Sequence, residues 1–537
     1  MASIRTEPRA FSRFAAPDST TELVSLLTQS ALVRINRATF DLEPWLAESW
    51  KADADGRRYT ITLRPNVAFS DGTPFTADDV VFTFQAAYDE RTGSVLRDAM
   101  LVAGKKLDVK ALDVRTISVT FPAPFAPGLR ILASLPIFPK HKLARALADG
   151  TLAKAWGLST PLSDVVGLGP FVLKEYSPGQ RLVLQRNPRY WRKAADGTEL
   201  PYLDQLTLEV VKDQNAELLR LTTGQLDTTY SEVPPESYAS VKRAANEGRV
   251  RLFDLGVAMD PDSFWFNLHP GAFAGDPRAA WLQKDELRRA ISMAVDRRQF
   301  SDTVFYGAGE PVYLPVTAAN KQWYPADAPV ITYDPAAAKA LLASIGLMDR
   351  NGDGMLEDAA SRPVRFTVIT QKGRPRLERG ATVLKDELKK VGIDMDIATL
   401  EGGAVYEAAM VNRKYDAIYF HTAFSDTDPA TTPDFWFSSG AQHFWNMSQP
   451  KPATEWERQI DELMTRQMSS TDEAERKRLF ADVLKTFAAH QPVLYFAAPR
   501  VYVAVASRVT NVTPAVFLIP VLWNADSLAV SPGGAGQ

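Results

Sequence analysis

Between residues 360 and 420 the chain alternates strand-like and helix-like patterns, and this alternation limits its fold more than any other feature. VRFTVIT (364–370) is apolar and β-branched. Residues 376–391 carry apolar side chains at helical spacing, and Gly392 stops them. AIYF (417–420) is again a short apolar, aromatic run. Strand, helix and strand in that order predict an α/β lobe.

The second of these strands runs into Ser425-Asp426-Thr427-Asp428-Pro429, a loop with two carboxylates and a proline stop. Phe435, Trp436, Phe437, Phe444 and Trp445 follow, and no Lys or Arg occurs between Lys414 and Lys451. Acid and aromatic rings without a local counter-charge suit a ligand that brings a positive charge and apolar side chains. The stretch reads as the wall of a ligand cleft; the plainer reading is a solvated turn beside an aromatic core. Thr422, Ala423 and Phe424 at the strand end are candidates to offer backbone groups to a ligand, as in strand addition. Ser425 belongs to the same candidate site. Trp436, Trp445 and Trp265 are candidate pocket walls, with core packing as the alternative for each.

A chain of 537 residues is too long for a single core and predicts about three units. A net charge of -3 gives no electrostatic case for nucleic acid or an anionic membrane, and no apolar run is long enough to span a bilayer. Cysteine is absent, which removes disulfides, thiolate metal sites and cysteine nucleophiles. The first residues lack a charged-then-apolar signal pattern. Ala2-Ser3-Ile4-Arg5 reads as the start of a strand, so any export signal is expected to have been cut away.

Other stretches set further elements. Residues 21–33 carry a helical pattern behind a loop that includes Pro17, Asp18 and Ser19. EPWLAESW (43–50) reads as an aromatic turn and helix, YTITLR (59–64) as a strand, and Thr76-Ala77-Asp78-Asp79 as a capping box. In residues 285–300 an apolar helix face predicts that Arg288, Arg289, Arg297 and Arg298 lie on the solvated side. Gly167, Gly169 and Pro170 suit a turn or a close backbone approach. A helix over 472–490 precedes a late strand at 492–497, which is expected to rejoin the sheet of the first lobe.

LAESWKADADGRRYTITLRPNVAFSDGTPFTADDVVFTF (46–84) resembles the signature region of the family 5 extracellular solute-binding proteins of bacterial ABC importers. VGLGPFVLKEYSPGQRLVLQRNPRYW (166–191), LTTGQLD (221–227), SFWFNL (263–268), DELRRAISMAVDRRQF (285–300) and DPAAAKALLASIGL (334–347) continue the resemblance in order. It implies a two-lobed α/β periplasmic-binding-protein fold with a hinge and an extra subdomain in the first lobe. The implied layout is lobe I at 1–42, 165–250 and 487–537, its extra subdomain at 43–164, and lobe II at 251–486.

The resemblance implies capture of a peptide or oligopeptide-like ligand between the lobes and delivery to a membrane permease. It implies a periplasmic or lipid-anchored location, no catalysis, no cofactor and a monomer. Peptide-binding members pair an aspartate just past this strand with the ligand's amino terminus. The matching position is Asp426, and because the loop is about one residue shorter, Asp428 stays in play. Asp18 and Ser19 correspond to the opposite lip. Oligosaccharide, opine or metal-chelate ligands are the alternatives within the family.

Asp349, Asn351, Asp353 and Gly354 match the first half of a calcium loop, but position twelve is Ala360 where the pattern needs Glu. The other reading is a polar turn. His141, His269, His421, His443 and His490 are the only histidines, and none pair at helical ligand spacing; His421 and His443 stand nearest the proposed cleft. A hydrolase acting on glycosides or peptides is the alternative of another class. Asp426 and Asp428 are poorly spaced for glycoside hydrolysis, and no nucleophile, base and orienting group can be assembled.

Overall fold

A computed structural model of the chain describes residues 1–14, 16, 18–94, 96–102, 104–422, 427–517 and 519–531. It divides into two compact units, one of residues 1–255 and 502–537, the other of residues 256–501. The chain leaves the first unit within strand Val250–Val257 and returns within strand Ala497–Ala506.

In the first unit, strand Ala2–Ile4 lies parallel to Gln205–Val210, and Arg181–Arg186 and Phe171–Ser177 extend that sheet in antiparallel order. A second four-stranded sheet runs Ala47–Ala52, Arg58–Leu63, Thr116–Thr120, Asp108–Ala111. EPWLAESW turns at Trp45-Leu46 as expected, but its second half is strand and not helix: it pairs with the regularly alternating Arg58–Leu63, and that pairing overrides local preference. At the predicted capping box, Asp79 accepts from the Thr76 backbone N–H at 2.9 Å and from its hydroxyl at 3.1 Å. Arg34 and Arg192 lie over the Trp45 ring at 3.8 and 4.3 Å, and Trp191 meets it edge-on at 5.2 Å. Two tryptophan motifs far apart in sequence are joined in this way.

The glycines at 167 and 169 serve close approach. A Cβ on Gly169 would stand 2.4 Å from the carbonyl carbon of Thr28, and one on Gly167 would stand 1.9 Å from the Thr28 oxygen. The Gly169 N–H donates to that same oxygen at 3.0 Å, which closes the end of helix Ser19–Thr28.

The second unit holds a five-stranded sheet in the order Asp394–Leu400, Arg365–Gln371, Ala417–His421, Asp262–Phe266, Val493–Tyr495. The first three strands are parallel and Asp262–Phe266 is antiparallel to its neighbours. Helix Pro375–Lys389 follows strand Arg365–Gln371 and buries Leu377, Ala381, Leu384 and Leu388 in the core with Phe366, Val368 and Tyr419. The predicted α/β alternation is thus present. The late strand differs from expectation. Val493–Tyr495 pairs with Asp262–Phe266 in the second unit, and the following strand Ala497–Ala506 makes the return.

The stretch 285–300 forms two helices, Asp285–Ala294 and Arg297–Val304, and Asp296 caps the second by accepting from the N–H groups of Arg298 and Gln299. Arg289 and Arg298 are exposed as expected, whereas Arg288 and Arg297 are buried. Arg297 donates to the carbonyls of Ser292, Val312 and Tyr495 and to the Ser292 hydroxyl. Arg288 donates to the carbonyls of Gln283, His490 and Gln491 and also pairs with Asp285. A guanidinium with five donors can be buried where backbone oxygens surround it.

Gly169→Ala is expected to cost roughly 2 kcal/mol or more, because the added methyl meets fixed backbone and no mobile side chain can yield. Thermal unfolding of the variant beside the parent checks this; an unchanged midpoint would contradict the close approach.

Candidate functional site

Strand Ala417–His421 is set by its own side chains. Ala417, Ile418 and Tyr419 are buried, and the Tyr419 ring packs over Gly380, where a Cβ would come within 2.6 Å of it. His421 therefore emerges at the edge of the sheet, opposite Asp262 on the antiparallel neighbour. The ends of Arg365–Gln371 and Asp394–Leu400 reach the same edge, since both run parallel to Ala417–His421. Ligands of α/β sheets commonly bind outside the carboxyl ends of parallel strands.

One buried carboxylate organises this edge. Asp262, 1% exposed, accepts from the Arg376 Nη2 at 2.8 Å and lies 3.1 Å from the His421 Nδ1 through the same oxygen. Its other oxygen accepts from the Tyr419 hydroxyl at 3.4 Å. Burial pushes the Asp262 carboxyl up, but the Arg376 charge and the His421 and Tyr419 contacts outweigh it and hold the group below its ordinary value. Beside this cluster the Thr422 hydroxyl is 3.1 Å from the Ser263 hydroxyl. Arg376 is in the first turn of helix Pro375–Lys389, whose N-cap Arg374 makes no side-chain cap.

Thr422 is thus placed at the sheet edge as predicted, half-buried. Ala423, Phe424, Ser425 and Asp426 lie outside the described residues. Asp428 is not an open carboxylate. It is buried, accepts from the Arg476 Nη2 at 2.7 Å and caps the turn Pro429–Thr431 through the Ala430 N–H. Asn320 holds the adjacent Thr427 carbonyl at 2.8 Å, and Arg476 lies 4.8 Å over Trp323. In the first unit, Asp18 caps helix Ser19–Thr28 by accepting from the Thr21 N–H and hydroxyl, and Ser19 opens that helix half-buried.

The three tryptophans expected as pocket walls are core residues. Trp265 stacks on Phe444 at 5.3 Å and donates its indole N–H to the Tyr415 hydroxyl at 3.3 Å. Trp436 packs edge-on against Phe435 and Phe480. Trp445 is 1% exposed and donates to Glu457 at 3.3 Å, with Phe435, Trp456 and Phe487 around it. Their ring faces are covered and two of the indole N–H groups are bonded internally. His443 is fully buried and also meets Glu457, at 3.2 Å. Burial pushes Glu457 up, and hydrogen bonds with His443, Gln449 and Thr454 bring it below its ordinary value.

The turn at 349–354 uses its side chains on its own backbone. Asp349 accepts from the N–H groups of Gly352 and Gly354, Asn351 from Asp353, and Asp353 from Met355. The carboxylates of Asp349, Asp353 and Glu357 lie within 4.8 Å of one another, the set among the described residues that could hold a metal. Glu357 also accepts from the Arg350 N–H at 2.7 Å.

Sequence reasoning missed Arg376 and Asp262 as members of the edge. Asp262 stands one residue before the quoted SFWFNL, and Arg376 begins a predicted helix. Their position at strand ends of an α/β sheet was the available signal.

Two outcomes follow. Asp428→Asn is expected to destabilise the protein by about 3–5 kcal/mol, since Arg476 stays buried without its charge partner; denaturant unfolding measures it. Asp262 has a folded value below its unfolded one. Its stabilisation is therefore complete above about pH 4 and is lost as pH falls through the folded value. Thermal midpoints across acidic pH should fall less steeply for Asp262→Asn than for the parent, and equal slopes would remove Asp262 from the account.

Among the described residues no helix is long and apolar enough to cross a membrane. The chain is 28% identical over 513 residues to a probable ABC transporter-binding protein of Deinococcus radiodurans, covering 91% of this chain and 84% of that protein. It is 28% identical to the oligopeptide-binding protein AppA of Bacillus subtilis, covering 93% and 86%. The solved structure of that AppA in complex with a nonapeptide superposes with a TM-score of 0.72 at 24% identity, over 99% of this chain and 98% of the other, and so shares the two-lobed binding-protein fold. Residues 41–444 match the model of the bacterial extracellular solute-binding proteins, family 5, and the chain belongs to that family.

Proposed function

We propose that this protein is the solute-capturing component of an ABC importer, that its solute is a peptide or oligopeptide-like molecule, and that it hands the solute to a membrane permease. The observation that carries the reading is the edge of the five-stranded sheet in the second unit. There Thr422 follows the end of strand Ala417–His421, beside Ser263 and buried Asp262. A strand end with polar groups suits a ligand that has its own backbone to bond. The relation to an oligopeptide-binding protein over most of both chains supports the same class of solute.

In this reading Asp426 takes the ligand's α-ammonium. The burial of Asp428 against Arg476 supports giving that role to Asp426. The protein acts outside the cytoplasm, as a monomer, and releases its solute chemically unchanged.

Native mass spectrometry of the freshly purified protein, with denaturing release of what it carries, tests the solute. A ladder of peptide masses is the expected result. A single oligosaccharide, opine or metal-chelate mass would replace the peptide and keep the transport role. Asp426→Asn should weaken binding of a released peptide by at least about tenfold, the scale of a lost charge-assisted hydrogen bond. An unchanged affinity by calorimetry would remove Asp426 from the site. Peptides incubated with excess protein should stay intact, and cleavage would return the hydrolase reading.

A further inference from the structure

We propose that Asn351 is a site of covalent self-modification, deamidated through attack by the backbone nitrogen of Gly352, and that the polar groups of its own turn promote the reaction. The inference concerns the second unit alone and holds whichever solute the protein carries.

Asn351-Gly352 is the one Asn-Gly pair in the chain. Ring closure requires the next residue's nitrogen to reach the asparagine Cγ, and a side chain on that next residue obstructs the approach. Glycine has no Cβ to do so. Gly352 has a φ of 82°, and a Cβ built on it would meet nothing within 4 Å. Both residues are exposed, so water reaches the reacting atoms. The turn is nevertheless held in shape. Met348 and Glu357 exchange backbone hydrogen bonds at 3.0 and 2.9 Å and close its base.

Each reacting group has a partner within this turn. The Gly352 N–H donates to the Asp349 carboxylate at 2.7 Å, which draws on the proton that the nucleophile must lose. The Asn351 Oδ1 accepts from the Asp353 N–H at 2.8 Å, a donor aimed at the oxygen on which charge develops when Cγ is attacked. The Asn351 Nδ2 donates to the Asp353 carboxylate at 3.1 Å, so the leaving nitrogen faces an acceptor that favours its protonated form.

The Gly352 nitrogen gives its proton to water and bonds to the Asn351 Cγ. The bond from Cγ to Nδ2 breaks, and ammonia leaves and takes up a proton. Water then opens the cyclic imide. Opening at the side-chain carbonyl gives aspartate, and opening at the main-chain carbonyl gives isoaspartate. One amide and one water have become one carboxylate and one ammonium. The new carboxylate joins those of Asp349, Asp353 and Glu357, which lie within 4.8 Å of one another, and adds a fourth like charge to the turn.

The test incubates the whole protein in mildly alkaline buffer at physiological temperature and follows the tryptic peptide 351–365 by mass spectrometry. The amide should be exchanged for an acid, and an isoaspartate-specific methyltransferase should label the same peptide. Exposed Asn412 and Asn511, which precede Arg413 and Val512, serve as internal references. Asn351 is expected to convert at least about tenfold faster than either, a barrier difference of about 1.4 kcal/mol. Asp349→Asn keeps an acceptor oxygen for the Gly352 N–H but loses the charge. It should slow the conversion by about tenfold with a near-parental unfolding midpoint. Conversion of Asn351 no faster than that of Asn412 and Asn511 overturns the site. Equal rates in the parent and Asp349→Asn overturn its promotion by the turn.

Discussion

The site depends on a single buried carboxylate. Asp262 starts the strand that runs antiparallel between Ala417–His421 and Val493–Tyr495, and register places it opposite His421. Removing a carboxylate from water costs several kcal/mol unless donors replace the lost hydration. Three do so here, each from a different residue type: a guanidinium, an imidazole and a phenol. The arrangement fixes the angle at which Arg376 and His421 leave the sheet. It also requires Tyr419 to stay in place, which in turn requires that position 380 carry no Cβ.

The same physical rule recurs away from the edge. Arg297 is buried without a carboxylate and is satisfied by three carbonyls and a hydroxyl, with the rings of Tyr313 and Phe496 at 4.8 and 5.4 Å. Arg476 and Asp428 are buried as a pair, and Asp428 also caps the following turn. These charges sit inside because their donors and acceptors are matched, and each fastens a loop end or a helix junction to the body of the second unit. The tie at Asp428 and the hold of Asn320 on Thr427 fix the chain immediately after residue 426. Ser263 and Asp262 fix it immediately before residue 423. Thr422 and Thr427 are therefore held by residues that need not touch the ligand.

The aromatic residues are consistent with this division of labour. Eleven tryptophans invite a reading as ligand platforms, yet the three beside the strand and loop fill the core behind it. A ring that packs edge-on against other rings, with its N–H bonded inside, stiffens the scaffold and offers nothing to solvent. Recognition at this edge then falls to polar and charged groups at the strand ends, which suits a solute with charged termini and variable side chains.

The sequence by itself determined the α/β alternation of 360–420, the helix that begins at Asp472, and the family through an ordered series of motifs. Those features are local or rest on fixed spacing, so periodicity and capping chemistry reveal them. Only the tertiary structure decided which charges meet. The stretch between Lys414 and Lys451 has no cation, and so reads as purely acidic. Folding brings Arg476 to Asp428 across 48 residues and sets Arg376 beside the strand end through an aspartate more than a hundred residues earlier in the chain. The helical wheel likewise sent Arg288 and Arg297 to solvent, because a one-dimensional pattern cannot show the carbonyls that a neighbouring loop or strand will supply. Charge pairing acts over a few ångströms in space, and residues hundreds of positions apart are as close to it as neighbours.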